Sequence, residues 1–551
     1  MFTFLSSPAP HPEVSPRLRQ AGILLILFLC LFIPFRTPLA DNTLSAVKAI
    51  PDLLIIALFV WYSVSIRLRY RFTLPDLLFI AFELLALIST VLVNRLGLGL
   101  FIYQTRSIGI YYILFFVVRN FGYGQREFCL FTRTLQAVSV PVFLLALVEK
   151  IFCKTVLFNP AFAATLDKIN FGRLYSTFYN PNTYGLFLVF VVLLSLFMNY
   201  FYGKKTHPVM YFSLFAALYM TMSRSSMMIL GACMVLVLIV FVKKHGKSFP
   251  WLRVAVSAAC IAVGVALMTA AVTYASNRYF DAKGQYIIME RIFPNLKAET
   301  TTVKYLTPDG EERTGYVYNG ATYLDKTLTK PLSECGSIVF VDDKEYILTT
   351  EGGKLLQEFL ALPADRQSAL TGGNIDRMDI IRDNSYLENI KSSLGVAAGD
   401  RFSELGTDAL YSQNTNMRIQ SVLTALKVAQ NQPVFGSGYG TYGSSASLTW
   451  EVPNYKDLGL YNGFYADNQY ACVVAETGFV GLGLFMAFLL TTLWKYRNNL
   501  LCLLACLIIG WFGIFYNILE IQIGAMLLWS LLSFDLPELT LKDLFGKKKN
   551  G

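Results

Sequence analysis

Long apolar runs, separated by short polar and often basic junctions, dominate the chain. A run of roughly 20 apolar residues is what a helix needs to cross the hydrocarbon core of a bilayer. Such runs recur near residues 21–39, 49–66, 75–93, 100–118, 130–150, 184–202, 208–222, 225–242 and 252–275, and again near 468–493, 499–516 and 518–534. The pattern predicts an all-α polytopic membrane protein with about twelve transmembrane helices. Between the ninth and tenth runs lies one large polar region, residues 276–466. Its first part, Thr301 to Leu348, alternates β-branched and polar residues and is interrupted by Asp309-Gly310, Asn319-Gly320 and Asp342-Asp343, which predicts a small β-rich insertion. The remainder, about 353–432, reads as helical, with apolar spacing along Met417 to Val428. The chain thus divides into spans one to nine (1–275), a soluble α+β region (276–466), and spans ten to twelve with a basic tail (467–551).

Composition strengthens this picture. Of 551 residues, 54% are hydrophobic and only 15% charged, against about 25% charged in a soluble domain. The first apolar run, from Ala21 to Pro34, has no A-x-A-like cleavage site behind it and is read as a span. The net charge of +10 follows from topology and gives no reason to expect nucleic acid. Arg17 and Arg19; Arg67, Arg69 and Arg71; Arg119, Arg126 and Arg133; Lys204 and Lys205; Lys243, Lys244, Lys247 and Arg253; Lys495 and Arg497; and Lys547, Lys548 and Lys549 all fall on one side if the spans alternate. The positive-inside bias makes that side cytoplasmic, with both termini, and puts 276–466 outside. The short outer loops hold only scattered basic residues, such as Lys48 and Arg95.

Several chemistries find no footing. Eight of the nine cysteines lie in or beside predicted spans, only Cys335 sits in the soluble region, and no CxxC pair or metal-ligand spacing occurs. The three histidines, His11, His207 and His245, all fall on the cytoplasmic side, so no metal site is expected outside. No GxxxxGK[ST] loop occurs, which argues against ATP-driven transport, and no cofactor is implied.

Four polar features stand out on the outer side. The first is Arg173, followed by Asn180, Asn182 and Gly185 ahead of the sixth span. A guanidinium offers diphosphate a bidentate fork and stays charged when partly desolvated, although an interfacial arginine can equally snorkel to headgroups. The second is Ser223-Arg224-Ser225 between spans seven and eight, a ligand grip or a simple turn cap. The third is Arg418, followed by the turn Pro433 to Tyr442, whose Gly436, Gly438 and Gly440 flank Tyr439. Glycine there permits positive φ or close backbone approach to a ligand, or marks a helix-to-loop junction. The fourth is Asp467-Asn468, then Glu476-Thr477-Gly478, entering span ten. Asp467 or Glu476 suits a general base on a sugar hydroxyl, and Asp467 also suits a helix N-cap. Inside the bilayer, Glu83 and Arg106 are candidates for pairing with each other.

Taken in order, these features resemble the O-antigen ligase and polymerase superfamily of bacterial membrane glycosyltransferases. The resemblance covers roughly residues 170–485 and rests on Arg173 with Asn180-Pro181-Asn182, Ser223-Arg224, Arg418 with Pro433, Gly436 and Gly438, and Asp467-Asn468 with Gly478. It implies an enzyme of the cytoplasmic membrane acting on an undecaprenyl-diphosphate-linked glycan at the outer face. The diphosphate-linked donor is already activated, so neither nucleotide nor metal is required. Arg173, Arg224, Arg418, Asn180, Asn182 and Tyr439 would bind diphosphate or glycan, and Asp467 or Glu476 would serve catalysis. The family carries a histidine where this chain has Asp467. That departure favours polymerisation of repeat units on an acceptor glycan over ligation of a finished glycan to an envelope acceptor. A lipid-linked glycan transporter is the reading from another class. Flippase and chain-length regulators are the implied protein partners.

Overall fold

A computed structural model describes residues 14–42, 45–152, 173–178, 180–245, 251–279, 421–447 and 466–539, single positions 419 and 541, and five strands between 301 and 348. The chain forms two compact units: one made of residues 1–147, 155–269 and 416–551, the other of 148–154 and 270–415.

The first unit is helical. Its helices are α1 (Pro16–Asn42), α2 (Ile50–Ser65), α3 (Leu74–Leu87), α4 (Leu98–Val118), α5 (Gln125–Phe152), α6 (Pro181–Tyr202), α7 (Pro208–Met220), α8 (Arg224–His245), α9 (Trp251–Tyr279), α10 (Gln469–Tyr496), α11 (Leu500–Gly513) and α12 (Gln522–Leu531), with α5 and α9 ending in the second unit. Every apolar run predicted from the sequence falls on one of them. Among the described residues, nine helices are long and apolar enough to cross a membrane, with α2 and α3 counted together with their adjoining helical turns as Ala46–Ser65 and Leu74–Val93. The exceptions are α7, α11 and α12, with 13, 14 and 10 residues; at about 1.5 Å rise per residue these are shorter than the hydrocarbon core is thick. Large apolar side chains face outward from the long helices, among them Leu53 (63% exposed), Val64 (71%) and Leu252 (78%). Apolar exposure on this scale suits lipid and not water.

Local signals set the helix ends that matter below. Asn180 caps α6, its Oδ1 accepting the Asn182 backbone N–H at 2.8 Å, with Pro181 in the first turn. The opposite end stops at Gly203 in the left-handed conformation. Helix α6 is apolar on every side and buried almost throughout, from Tyr184 to Met198, which makes it a core helix of the unit. Removing its cap with Asn180→Ala is expected to lower stability by about 1 kcal/mol, read as a small shift in thermal unfolding of the detergent-purified protein.

One buried ion pair fixes α3 to α4. Arg119 donates from Nη1 and Nη2 to the two carboxylate oxygens of Asp76, both at 2.7 Å. Asp76 also receives the Tyr112 hydroxyl at 2.6 Å and the Thr73 backbone N–H and hydroxyl at 2.5 and 2.7 Å. Every oxygen of this carboxylate is matched by donors, which is the condition under which a buried charge is tolerated.

The pairing of Glu83 with Arg106 anticipated from the sequence does not occur. Arg106 Nε donates to Asp52 Oδ2 at 2.6 Å, whereas Glu83 receives the Thr105 hydroxyl at 2.7 Å and the Tyr439 hydroxyl at 3.4 Å. Thr105 and Arg106 are consecutive on α4 and point about 100° apart, so α3 meets one and α2 the other.

Five short strands lie in the second unit. Strands β1 (Thr301–Leu306), β2 (Glu312–Tyr318) and β3 (Ala321–Tyr323) form an antiparallel sheet in that order, with Thr301 opposite Val317 and Tyr316 opposite Tyr323. Strands β4 (Ser337–Val341) and β5 (Lys344–Leu348) form an antiparallel pair, with Val341 opposite Lys344.

Candidate functional site

The described parts of the four sequence features form two joints. In the first, Arg173 Nε donates to the Thr221 carbonyl at 3.0 Å and Nη2 to Asn182 Oδ1 at 2.9 Å, while the Leu174 N–H donates to the Met220 carbonyl at 3.0 Å. Gly185, one turn into α6, packs directly on Ser223 and Ser226, where a β-carbon would collide with the Ser226 hydroxyl. Arg173, Asn182, Asn180 and the Ser223-Arg224-Ser225 turn therefore belong to one structural bracket. Arg224 opens α8 and is exposed.

The second joint interlocks the glycine turn with α10. Ser437 N–H donates to the Ala475 carbonyl at 2.8 Å, Gly438 N–H to the Glu476 carbonyl at 3.0 Å, and Phe479 N–H to the Pro433 carbonyl at 2.8 Å. Gly478 holds φ +69° and ψ −174° inside α10, a region open essentially to glycine alone. A β-carbon on Gly478 would stand 2.6 Å from the Pro433 carbonyl oxygen, and one on Gly436 (φ +65°) 2.5 Å from the Glu476 backbone. The close approach signalled by these glycines is thus to the protein's own chain. A π-helical turn closing α3, Ile88–Val93, completes the joint: Ser89 Oγ donates to the Phe435 carbonyl at 2.6 Å, Asn94 Nδ2 to the Gly436 carbonyl at 3.0 Å, and Thr90 Oγ1 accepts the Tyr439 N–H at 2.7 Å. Gly478→Ala is expected to remove about 1–3 kcal/mol or more, visible as reduced accumulation and a lowered unfolding temperature.

This geometry redefines several predicted roles. Tyr439 is fully buried, with its ring edge-on to Phe82 at 5.6 Å and its hydroxyl on Glu83. Glu476 is also fully buried, and its Oε1 accepts the Tyr442 N–H at 2.9 Å. Both brace the glycine turn. The N-cap of α10 is Asn468, whose Oδ1 accepts the Ala471 N–H at 2.9 Å, and not Asp467. Arg418 lies outside the described residues.

Beside these joints opens a cavity of about 420 Å³, within the range of small-ligand sites. It is bordered by the ends of α1, α2, α4, α6 and α12. Three cations, Arg36, Lys48 and Arg106, line it together with two carboxylates, Asp52 and Glu520. The first joint enters through Thr177, Phe178 and Thr183, and the glycine segment through Ser445. Arg173, Asn180, Asn182, Arg224, Tyr439, Asp467 and Glu476 are not on its lining. Arg36 is oriented by donating from Nε, at 3.0 Å, and from Nη2 to the Lys48 carbonyl, which ties the end of α1 to the start of α2. Arg106 stands over the Tyr103 ring at 5.7 Å and reaches Asp52.

Glu520, on the connection between α11 and α12, is held by three donors. Gln104 Nε2 reaches Oε1 at 2.8 Å, and Ser445 N–H and Oγ reach Oε2, both at 2.7 Å. Both oxygens are occupied, so Glu520 anchors the Ser445 turn to the start of α12. Among the described residues no group of three or more His, Cys, Asp or Glu is placed to hold a metal ion.

The arrangement can bind a ligand that is anionic at one end and rich in hydroxyls at the other. Guanidinium and ammonium groups serve the first, and carboxylate and hydroxyl acceptors the second. Sequence reading passed over Arg36, Asp52, Ser445 and Glu520 and saw Lys48 only as a scattered outer charge. The available signal was Arg36, which stands at the end of span one opposite the basic side. No family model matches the chain, and no curated protein or solved structure matches it.

Proposed function

We propose that this chain transfers a glycan from an undecaprenyl diphosphate carrier to an acceptor sugar hydroxyl, on the outer face of the cytoplasmic membrane of a bacterium. In this reading it is a polymerase of surface polysaccharide repeat units, with twelve membrane passes and both termini inside. The observation that carries the proposal is the cavity in which Arg36, Lys48 and Arg106 meet Asp52 and Glu520. It lies at the end of the helices that the charge pattern assigns to the outside, where the diphosphate of a flipped carrier resides. The segment bearing the family resemblance, Arg173 to Gly185, borders it through Thr177 and Thr183.

The chemistry needs few parts. The cations take up the charge that grows on the diphosphate as the glycosyl bond breaks. The surrounding helices hold donor and acceptor in line. Arg173 keeps the bracket that forms one wall.

The test is the size distribution of undecaprenyl-linked glycans in a strain lacking the protein. Accumulation of single repeat units supports polymerisation. Long lipid-linked chains that never reach the surface would identify a ligase, and an unchanged distribution would overturn glycosyl transfer altogether. In the same assay Asp467→Asn is expected to leave product unchanged, because that side chain is off the cavity; a ten-fold or greater loss at normal protein level, about 1.4 kcal/mol of barrier, would return Asp467 to the chemistry.

A further inference from the structure

Two residues on the cavity lining each carry a buried polar atom that is unmatched among the described residues. Asp52, in the first turn of α2, is 5% exposed; its Oδ2 is taken by Arg106, but Oδ1 has no hydrogen-bond partner among the described residues. Thr177, 1% exposed on the same lining, has a hydroxyl without a partner among the described residues. A buried polar atom left without a partner is destabilising, and more so when it is charged. Such atoms persist where a ligand or reaction uses them. The contrast with Glu520 is informative, since both oxygens of that carboxylate are already occupied.

Resting on the glycosyl-transfer reading, we propose that Asp52 is the catalytic base, its Oδ1 accepting the proton of the attacking sugar hydroxyl. The acceptor O–H bond breaks and its proton passes to Asp52 Oδ1. The oxygen's electron pair forms the new bond to the anomeric carbon of the donor. The bond from that carbon to the phosphate oxygen breaks, and its electron pair departs on the polyprenyl diphosphate beside Arg36 and Lys48. The proton then leaves Asp52 for solvent. Arg106 holds Asp52 through Oδ2 and leaves Oδ1 as the oxygen available to the hydroxyl; Arg106 is a positioning residue for the base as well as part of the cationic wall. Thr177 offers a second hydrogen-bonding atom for the same hydroxyl.

The experiment uses membranes containing the full-length protein, supplied with the lipid-linked glycan extracted from the deletion strain. Asp52→Asn keeps an oxygen for Arg106 but removes the proton acceptor. It is expected to lower kcat by about 100-fold or more, with KM for the lipid-linked glycan changed by no more than about three-fold. Asp52→Glu is expected to recover part of the rate. Asp52→Ser is run in parallel so that a poorly accumulating amide variant does not end the test. The proposal is overturned if Asp52→Asn or Asp52→Ser keeps kcat near that of the parent while KM rises, since Asp52 would then only orient Arg106. If the parent protein itself does not convert this material, the glycosyl-transfer reading fails and takes the base with it.

Discussion

Replacing Arg106 by glutamine is expected to cut product formation by about ten- to a hundred-fold, the loss of one charge-assisted hydrogen bond, while the protein still reaches the membrane. Arg106 meets Asp52 with one nitrogen and lines the cavity with the rest of its fork. Arg106→Lys is expected to fall by a similar factor, because an ammonium supplies the charge but not the planar pair of donors that matches phosphate. Combining Arg106→Gln with Arg36→Ala removes two of the three cations and is expected to abolish product. The measurement is repeat-unit turnover in membranes holding equal amounts of each variant. A parent-like rate in the double variant would remove the cavity from the reaction.

The second large effect is on stability. Arg119→Ala is expected to destabilise the protein by about 3–5 kcal/mol, because it strands Asp76 as an uncompensated buried charge. Two 2.7 Å contacts are lost together, and Asp76 keeps only the donors of Tyr112 and Thr73. Asp76→Asn on its own leaves the buried Arg119 without its counter-charge, held by the Arg71 carbonyl at 3.1 Å and by the amide oxygen. The double variant is expected to be less damaging than the sum of the two singles, with a coupling of about 0.5–3 kcal/mol. Thermal unfolding of detergent-purified protein reads this directly, and strictly additive effects would show that the pair contributes no interaction of its own.

The sequence revealed the helices well because their signal is local. A run of apolar side chains long enough to span a bilayer has few other readings, and all twelve runs fall on helices. It did not reveal that three of those helices would be short, since apolar turns such as Ile514 to Leu519 extend the runs beyond the helices themselves. The glycines of Pro433 to Tyr442 were visible as a place of close approach. Whether the approach was to a ligand or to α10 depends on contacts between distant positions of the chain, such as Gly438 N–H to the Glu476 carbonyl, and no local pattern encodes that choice. The cavity was the least legible part. Arg36, Lys48, Asp52, Arg106 and Glu520 come from four separate stretches of chain and form no motif. Of the five, the sequence singled out only Lys48, as a scattered outer charge, and Arg106, as a partner for Glu83; only the packing of α1, α2, α4 and α12 gathers them.

That packing also explains why the residues of the resemblance are mostly off the lining. Arg173 spends its hydrogen bonds on Thr221 and Asn182, which hold the segment that presents Thr177 and Thr183 to the cavity. Glu476 and Tyr439 hold the glycine turn, whose continuation presents Ser445. A substitution at these positions acts through the shape of the wall.

In the proposed reaction the cavity receives the diphosphate of the lipid carrier. This is tested most directly by the binding of undecaprenyl diphosphate to the full-length protein in nanodiscs, with the monophosphate as comparison. The expected result is saturable binding of the diphosphate, weaker binding of the monophosphate, and loss of at least about ten-fold in affinity, 1.4 kcal/mol, in Arg36→Ala and in Arg106→Gln but not in Asp467→Asn. Equal binding of the diphosphate by the parent and both arginine variants would contradict it.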